Sequence, residues 1–158
     1  MKFEPKKGNI VSNIEVIFPA DINHRGTLFG GRLMAWMDKT AYYAAFRFTG
    51  CPAVTASVES LDFKVSPAVG DIMDLEAKVI YTGSTSMVIE VSVYRTDVQK
   101  GSDRELANTG YFSFVALGND GKPCPIPSLL VETIEEEKLY LKGKRIKEFA
   151  MMRKKIND

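Results

Sequence analysis

Between Thr27 and Phe48 the apolar residues Leu28, Leu33, Met34, Trp36, Met37, Ala41, Ala44, Ala45 and Phe48 recur at intervals of three, four and seven. This spacing predicts one long helix, apolar around much of its circumference and closed by Gly50 and Pro52. Such a helix needs to be buried, and the rest of the chain has to supply the cover. Residues 54–65, 72–82, 86–97 and 105–117 read as strands, broken by Ser66 to Asp71, by Gly83 to Thr85 and by the polar stretch from Lys100 to Asp103. A further strand over residues 10–18 precedes the helix and stops at Pro19, which cannot donate to a ladder. Consecutive strands with short connections pair as antiparallel neighbours, and a twisted sheet can wrap one long helix. The predicted fold is α+β, a single antiparallel sheet around a buried helix.

After Leu117, the segment from Asn119 to Pro127 reads as a turn and a proline-rich connector that leaves the sheet. Residues 132–157 place Glu132, Glu135, Glu136 and Glu137 early and Lys144, Arg145, Lys147, Arg153, Lys154 and Lys155 late, the charge order that a helix dipole favours. The expectation is a mostly exposed helix, interrupted or kinked near Gly143. Residues 1–128 are thus one domain and residues 129–158 a charged helical tail. With 158 residues the chain is long enough to bury a core without disulfides or metal. No apolar run approaches the roughly 18 residues that span a bilayer. With 21 basic and 20 acidic residues the net charge is +1, so no overall field draws the chain to nucleic acid or to an anionic membrane. Cys51 and Cys124 lack metal-ligand spacing and read as free thiols. The amino-terminal residues carry charge without an apolar run, which leaves the cytoplasm as the expected compartment.

Chemistry concentrates just before and inside the long helix. Gly30 and Gly31 fall at its first turn, where unpaired N–H groups and the positive end of the dipole can hold a carbonyl oxygen that gains negative charge. The same glycines also suit a tightly packed turn. Asp38 stands between Met37 and Ala41, and a carboxylate on a buried helix is either paired, here with Lys39 or Arg47, or functional. From a helix start near Phe29, Asp38 lies about 13 Å along the axis, out of reach of a group held at that helix's own N-terminus. A two-fold dimer with antiparallel helices would bring Asp38 of one subunit to the Asn23-to-Gly31 loop of the other.

The run Asn23-x-x-Gly26-x-Leu28-Phe29-Gly30-Gly31, then Met37-Asp38, Val54-Thr55-x-x-Val58-Glu59 and Tyr81 to Ser86, resembles the acyl-CoA thioesterase family of the hotdog fold, including its YciA-like and cytosolic acyl-CoA hydrolase types. The likeness covers about residues 10 to 128. It implies an antiparallel sheet around one long helix, paired into double hotdogs and assembled as a trimer of dimers. It implies catalysis by Asn23 and Asp38 from different protomers, substrate contact at Gly30 and Gly31, and CoA contact at Thr55 and at Gly83, Ser84, Thr85 and Ser86. The implied ligand is acyl-CoA, with no cofactor and no metal. Two other readings stay open: an acyl-CoA-binding protein without turnover, and a hydratase or dehydratase on the same fold. The latter needs a histidine paired with an acid, and His24 is the chain's single histidine. Tyr42, Tyr43, Trp36 and Phe63 are candidates for lining an acyl tunnel.

Overall fold

The computed structural model describes residues 3–158. Strand β1 (Val11–Val16) leads through a short 3-10 turn at Pro19–Asp21 and a loop to helix α1 (Gly30–Thr49). Four strands follow: β2 (Ala53–Phe63), β3 (Ile72–Thr82), β4 (Ser86–Thr96) and β5 (Glu105–Ala116). Helix α2 (Ile134–Asn157) ends the chain. All strand pairs are antiparallel, in the order β1-β3-β4-β5-β2. The observed strands lie close to the predicted boundaries. The helix begins at Gly30, next to the expected start near Phe29, while Thr27 and Leu28 are held in the loop below it by pairing with Ala68 and Ile22.

Alternation along β3, β4 and β5 turns Met73, Leu75, Ala77, Val79, Met87, Ile89, Val91, Phe112 and Phe114 toward α1. The helix answers with Leu33, Trp36, Met37, Ala41, Ala44, Ala45 and Phe48, whose small alanines let the backbone come close to the sheet. Burying a side chain such as Leu33 or Phe48 contributes about 1.5–3 kcal/mol, so this seam is the principal source of stability. Gly50 ends the helix in the left-handed region (φ 70°), and its N–H caps the Phe46 carbonyl.

Three expectations need correction. First, α1 is not buried on most sides: a sheet of five strands covers one flank, and Met34, Tyr42, Tyr43 and Phe46 stay exposed on the other. Second, the proline-rich connector does not leave the sheet. Cys124 N–H donates to the Ala116 carbonyl (3.0 Å), Ile126 N–H to that of Ser84 (3.0 Å) and Leu129 N–H to the Thr82 hydroxyl (2.9 Å). Third, α2 runs without a break through Gly143 and lies against the outer face of β3 and β4.

Gly143 is buried because it is the contact point rather than a kink: a Cβ there would stand 2.5 Å from the Tyr81 Cβ and 3.2 Å from the Ile80 side chain. Around it Tyr140 packs on Tyr81 (ring centroids 5.1 Å apart), and Lys142 Nζ donates to the Tyr111 hydroxyl (2.8 Å), which donates in turn to Glu90 (2.8 Å). Farther along, the Arg153 guanidinium donates to both oxygens of Glu59 at 2.7 and 3.2 Å. The Glu59 side chain is only 4% exposed and also accepts from the hydroxyls of Ser57 and Ser113. Burial alone would push its carboxyl up, but Arg153 and the two hydroxyls outweigh burial and hold it below the ordinary carboxylate value of 4.5.

This docking makes two features of α2 testable. Alanine normally gains on glycine in a helix by about 1 kcal/mol, but Gly143→Ala forces α2 off Tyr81, so the urea midpoint falls, by an overpacking cost of about 1–3 kcal/mol. A midpoint equal to or above the parent's would overturn this account of the contact. Because Glu59 titrates lower in the folded state, its stabilisation is full above the unfolded value near 4.5 and disappears as pH falls through the folded one. Arg153→Ala, which leaves a buried carboxylate short of a donor, costs about 1–3 kcal/mol at neutral pH. That cost shrinks as pH falls below the ordinary carboxylate range, and thermal melts of parent and variant across this range read it directly.

Candidate functional site

Asn23 organises the loop that enters α1. Its side-chain Oδ1 accepts from the N–H of Arg25 (2.9 Å) and of Thr27 (3.2 Å), while Nδ2 donates to the Thr27 hydroxyl (3.1 Å). Among the described residues, one hydrogen on Nδ2 finds no acceptor. The backbone supports the same turn: Asn23 N–H donates to Thr27 O (2.7 Å) and Gly26 N–H to Asn23 O (3.1 Å), with Gly26 at φ 80°. Leu28 N–H then ties the loop to Pro67 O (2.8 Å). Asn23, Thr27, Leu28 and Gly30 form one wall of an open cleft of about 270 Å³; Leu33, Phe63, Val65, Ser66 and Pro67 form the rest.

Gly30 and Gly31 are the first two residues of α1, as expected, and Phe29 precedes them without a side-chain cap. Their N–H groups therefore face the cleft end of the helix dipole without an acceptor from the described residues. The two glycines differ. A Cβ on Gly30 would meet only the Phe63 ring, at 3.6 Å, whereas one on Gly31 would strike the Phe29 ring at 2.5 Å. A side chain at Gly31 would push the exposed Phe29 ring aside, whereas Gly30 keeps the N-terminus open.

Asp38 is half-buried and pairs with neither Lys39 nor Arg47. Lys39 reaches Glu15 instead (3.6 Å). The partner of Asp38 is Thr55, whose hydroxyl donates to Oδ1 at 2.6 Å. A bulge creates that contact. Side chains alternate along a strand, so Thr55 and Ser57 would ordinarily share a face; the extra residue Ala56 shifts the register between them. Thr55 thereby sits opposite Phe114 and points at α1, and Ser57 sits opposite Ser113 and points outward to Glu59. Nothing in the residue pattern of β2 signals the bulge.

Gly83, Ser84, Thr85 and Ser86 form the tight β3–β4 turn, closed by Gly83 N–H to Ser86 O (2.8 Å). This turn lies at the end of the sheet where β2 begins, since Ser86 pairs with Val115 and Val115 with Val54. The Asn23 loop lies at the other end, against Pro67 and Ala68. Over the length of β3 the separation is about 33 Å. Within one chain the candidate residues therefore fall into two groups: Asn23, Gly30 and Gly31 at one end, Asp38, Thr55 and the Gly83–Ser86 turn toward the other. The run of helix between Gly30 and Asp38 separates them by about 12 Å. Thr55 belongs with Asp38 and spends its hydroxyl there. His24 is exposed on the loop, and Trp36 is packed in the core, whereas Tyr42, Tyr43 and Phe63 are open.

Residues 25–102 match the model of the thioesterase superfamily. A Bacillus subtilis protein named as the uncharacterized acyl-CoA thioester hydrolase YkhA is 40% identical over 135 residues, 85% of this chain and 77% of that protein. The cytosolic acyl coenzyme A thioester hydrolase of Rattus norvegicus is 34% identical over 84% of this chain, which spans only 35% of the rat protein. Among solved structures, an apo-hexameric acyl-CoA thioesterase superimposes with a TM-score of 0.85 and 37% identity, covering 91% of this chain and 92% of its own. The Staphylococcus aureus acyl-CoA hydrolase, solved with butyryl coenzyme A, coenzyme A and coenzyme A disulfide, gives 0.86 and 34%, covering 94% and 90%. Its solved variants replace with alanine an asparagine, then an aspartate, then a threonine. Asn23, Asp38 and Thr55 follow one another in the same order and at the same two spacings along the chain.

The loop geometry predicts a separable effect of the Asn23 side chain. Asn23→Ala leaves the N–H groups of Arg25 and Thr27 without their acceptor, and their amide exchange accelerates by at least tenfold. Asn23→Asp keeps the acceptor and keeps the protection. Equal exchange in both variants would show that the backbone turn alone holds the loop.

Proposed function

The chain belongs to the thioesterase superfamily, and we propose that it is an acyl-CoA thioester hydrolase that splits acyl-CoA into a carboxylic acid and free CoA. The observation that carries this reading is the matched spacing of Asn23, Asp38 and Thr55, on a chain that superimposes along nearly its whole length on a hydrolase solved with its thioester. The remaining Nδ2 hydrogen of Asn23 and the free N–H of Gly30 polarise the thioester carbonyl and take up the negative charge that develops on its oxygen. Asp38, steadied by Thr55, removes the proton from the attacking water or attacks the carbonyl carbon itself. The C–S bond breaks with the electron pair on sulfur. A thiol of pKa about 8.5 is a good enough leaving group to need no acid. The hydroxyl-rich turn from Gly83 to Ser86 suits the CoA moiety.

The site in this proposal is shared between subunits. Two surfaces on the single chain support pairing. One is the aromatic flank of α1, where Tyr42 packs on Tyr43 and Phe46 with ring centroids 6.3 and 6.4 Å apart. The other is the free edge of the 11-residue strand β2, with Val54, Val58 and Phe63 exposed along it. A two-fold axis beside them sets the Asn23 end of one protomer against the Asp38 end of the other. We extend the proposal to a trimer of dimers, following the hexameric relative, and to a cytoplasmic location, following the name of the rat protein. No helix of the described residues is long and apolar enough to cross a membrane.

Thiol release from acyl-CoAs of acetyl to palmitoyl length tests the activity. Asp38→Ala lowers kcat by about 10²–10⁴-fold and Asn23→Ala by about 10²–10³-fold, each in a protein of unchanged oligomeric state. Near-parental rates in either variant remove that residue from the mechanism, and CoA binding without turnover in the parent moves the chain to the non-catalytic reading. Complementation tests the shared site: random reassembly of the two inactive variants restores about a quarter of the parental sites, because half of the dimers are mixed and each carries one intact site. A site within one chain restores none.

A further inference from the structure

Cys51 lies between the end of α1 and the start of β2, and Cys124 lies in the connector beyond β5, far along the chain but beside it in space. Both are free, half-exposed thiols lining one open cleft of about 460 Å³ together with Gly50, Pro52, Leu117, Gly118 and Pro125. The backbone fixes this proximity. Leu117 N–H donates to Pro52 O (2.8 Å), Cys124 N–H donates to Ala116 O (3.0 Å), and Leu117 bridges Pro123. Both cysteines thus flank the Leu117–Gly118 corner, and Gly118 leaves it clear: the Cys124 Cβ is 3.6 Å from where a Gly118 Cβ would stand. Burial pushes the Cys124 thiol up, and the neighbouring Cys51 thiol adds to the rise. Neither thiol takes part in the hydrolysis proposed above.

We propose that Cys51 and Cys124 are a redox-modification site that closes reversibly to an intrachain disulfide on exposure to a peroxide. One thiolate attacks the peroxide O–O bond and becomes a sulfenic acid with release of hydroxide. The second thiol attacks that sulfur and expels water, so that the pair loses two electrons and two protons, hydrogen peroxide becomes two waters, and one S–S bond forms. Two facing thiols capture the sulfenic acid within the chain, ahead of further oxidation. The bond ties the α1–β2 corner to the connector that carries α2, across a long loop whose closure restrains the unfolded chain.

The test uses the full-length oligomer, treated with one equivalent of hydrogen peroxide per chain. The expected result is loss of both free thiols, recovery of a peptide joining Cys51 to Cys124, and single-chain mobility on a non-reducing gel. Dithiothreitol reverses all three, and the thermal midpoint of the oxidised protein stands several degrees above that of the reduced. Cys51→Ser and Cys124→Ser each abolish the bridged peptide and the midpoint rise, and a second equivalent of peroxide takes their remaining thiol on to sulfinic acid. Chains cross-linked to one another, or sulfinic acids in the parent at the rate seen in the single variants, would overturn the proposal.

Discussion

A five-stranded sheet can cover only one flank of the helix it wraps, and the remaining features of this molecule depend on that shortfall. The covered flank of α1 is built from Leu33, Met37, Ala41, Ala44, Ala45 and Phe48, where the alanines set a close approach and the larger residues fill the space between strands. The uncovered flank keeps Met34, Tyr42, Tyr43 and Phe46. Two aromatic pairs on the helix and a bare edge at β2 are surfaces that a solitary protomer has no use for. The same helix separates the polar residues. Its N-terminus, with Gly30 and the Asn23 loop, stands two turns away from Asp38, and no side-chain motion closes about 12 Å.

The outer face of the sheet is held by different means. Here α2 brings little apolar periodicity, and Gly143 and Ala150 are its buried residues. Close contact at Gly143 lets the helix backbone approach β3, and charge then fixes its position: Arg153 on Glu59 near one end, Lys142 on Tyr111 and Glu90 nearer the middle. Exposed ion pairs contribute little, so the pair that matters is the one whose carboxylate is covered. Glu59 is that carboxylate, and its hydroxyl partners Ser57 and Ser113 complete the set of donors a buried acid requires. The carboxyl-terminal helix is thus a strap across the sheet, and its buried ionic attachment is on β2, the strand that also carries Thr55.

How far the residues announced this arrangement depended on whether a feature is periodic. The long helix and the four later strands repeat with the helical or the alternating period, and their limits were legible nearly to the residue. Gly143 was misread because glycine in a helix has two uses, a break or a close contact, and only the position of Tyr81 distinguishes them. The connector was misread for a related reason: its prolines exclude a regular strand, yet Cys124, Ile126 and Leu129 still find single acceptors on the sheet. Asp38 stood out as a carboxylate among apolar neighbours, but its partner Thr55 lies on another element, beyond any helical spacing rule.

Thr55 shows most clearly what a strand pattern withholds. Read with strict alternation, Thr55 and Ser57 share a face and neither has a distinct role. One inserted residue, Ala56, divides them, so that one hydroxyl steadies Asp38 on the inner face and the other joins the Glu59 network under α2. A second irregularity, between Val58 and Ser60, follows at once and leaves Glu59 itself unpaired in the ladder, free to reach Ser113 and Arg153. The two bulges therefore connect the faces of the sheet through one short stretch of an edge strand. Straightening β2 would slide Thr55 two residues along its face, away from Asp38, and turn Ser57 and Glu59 inward, away from Arg153, because each bulge reverses the parity of the residues beyond it and the two together shift the register by two. The carboxylate on the helix and the strap on the back of the sheet are held in place by the same run of backbone, from Thr55 to Glu59.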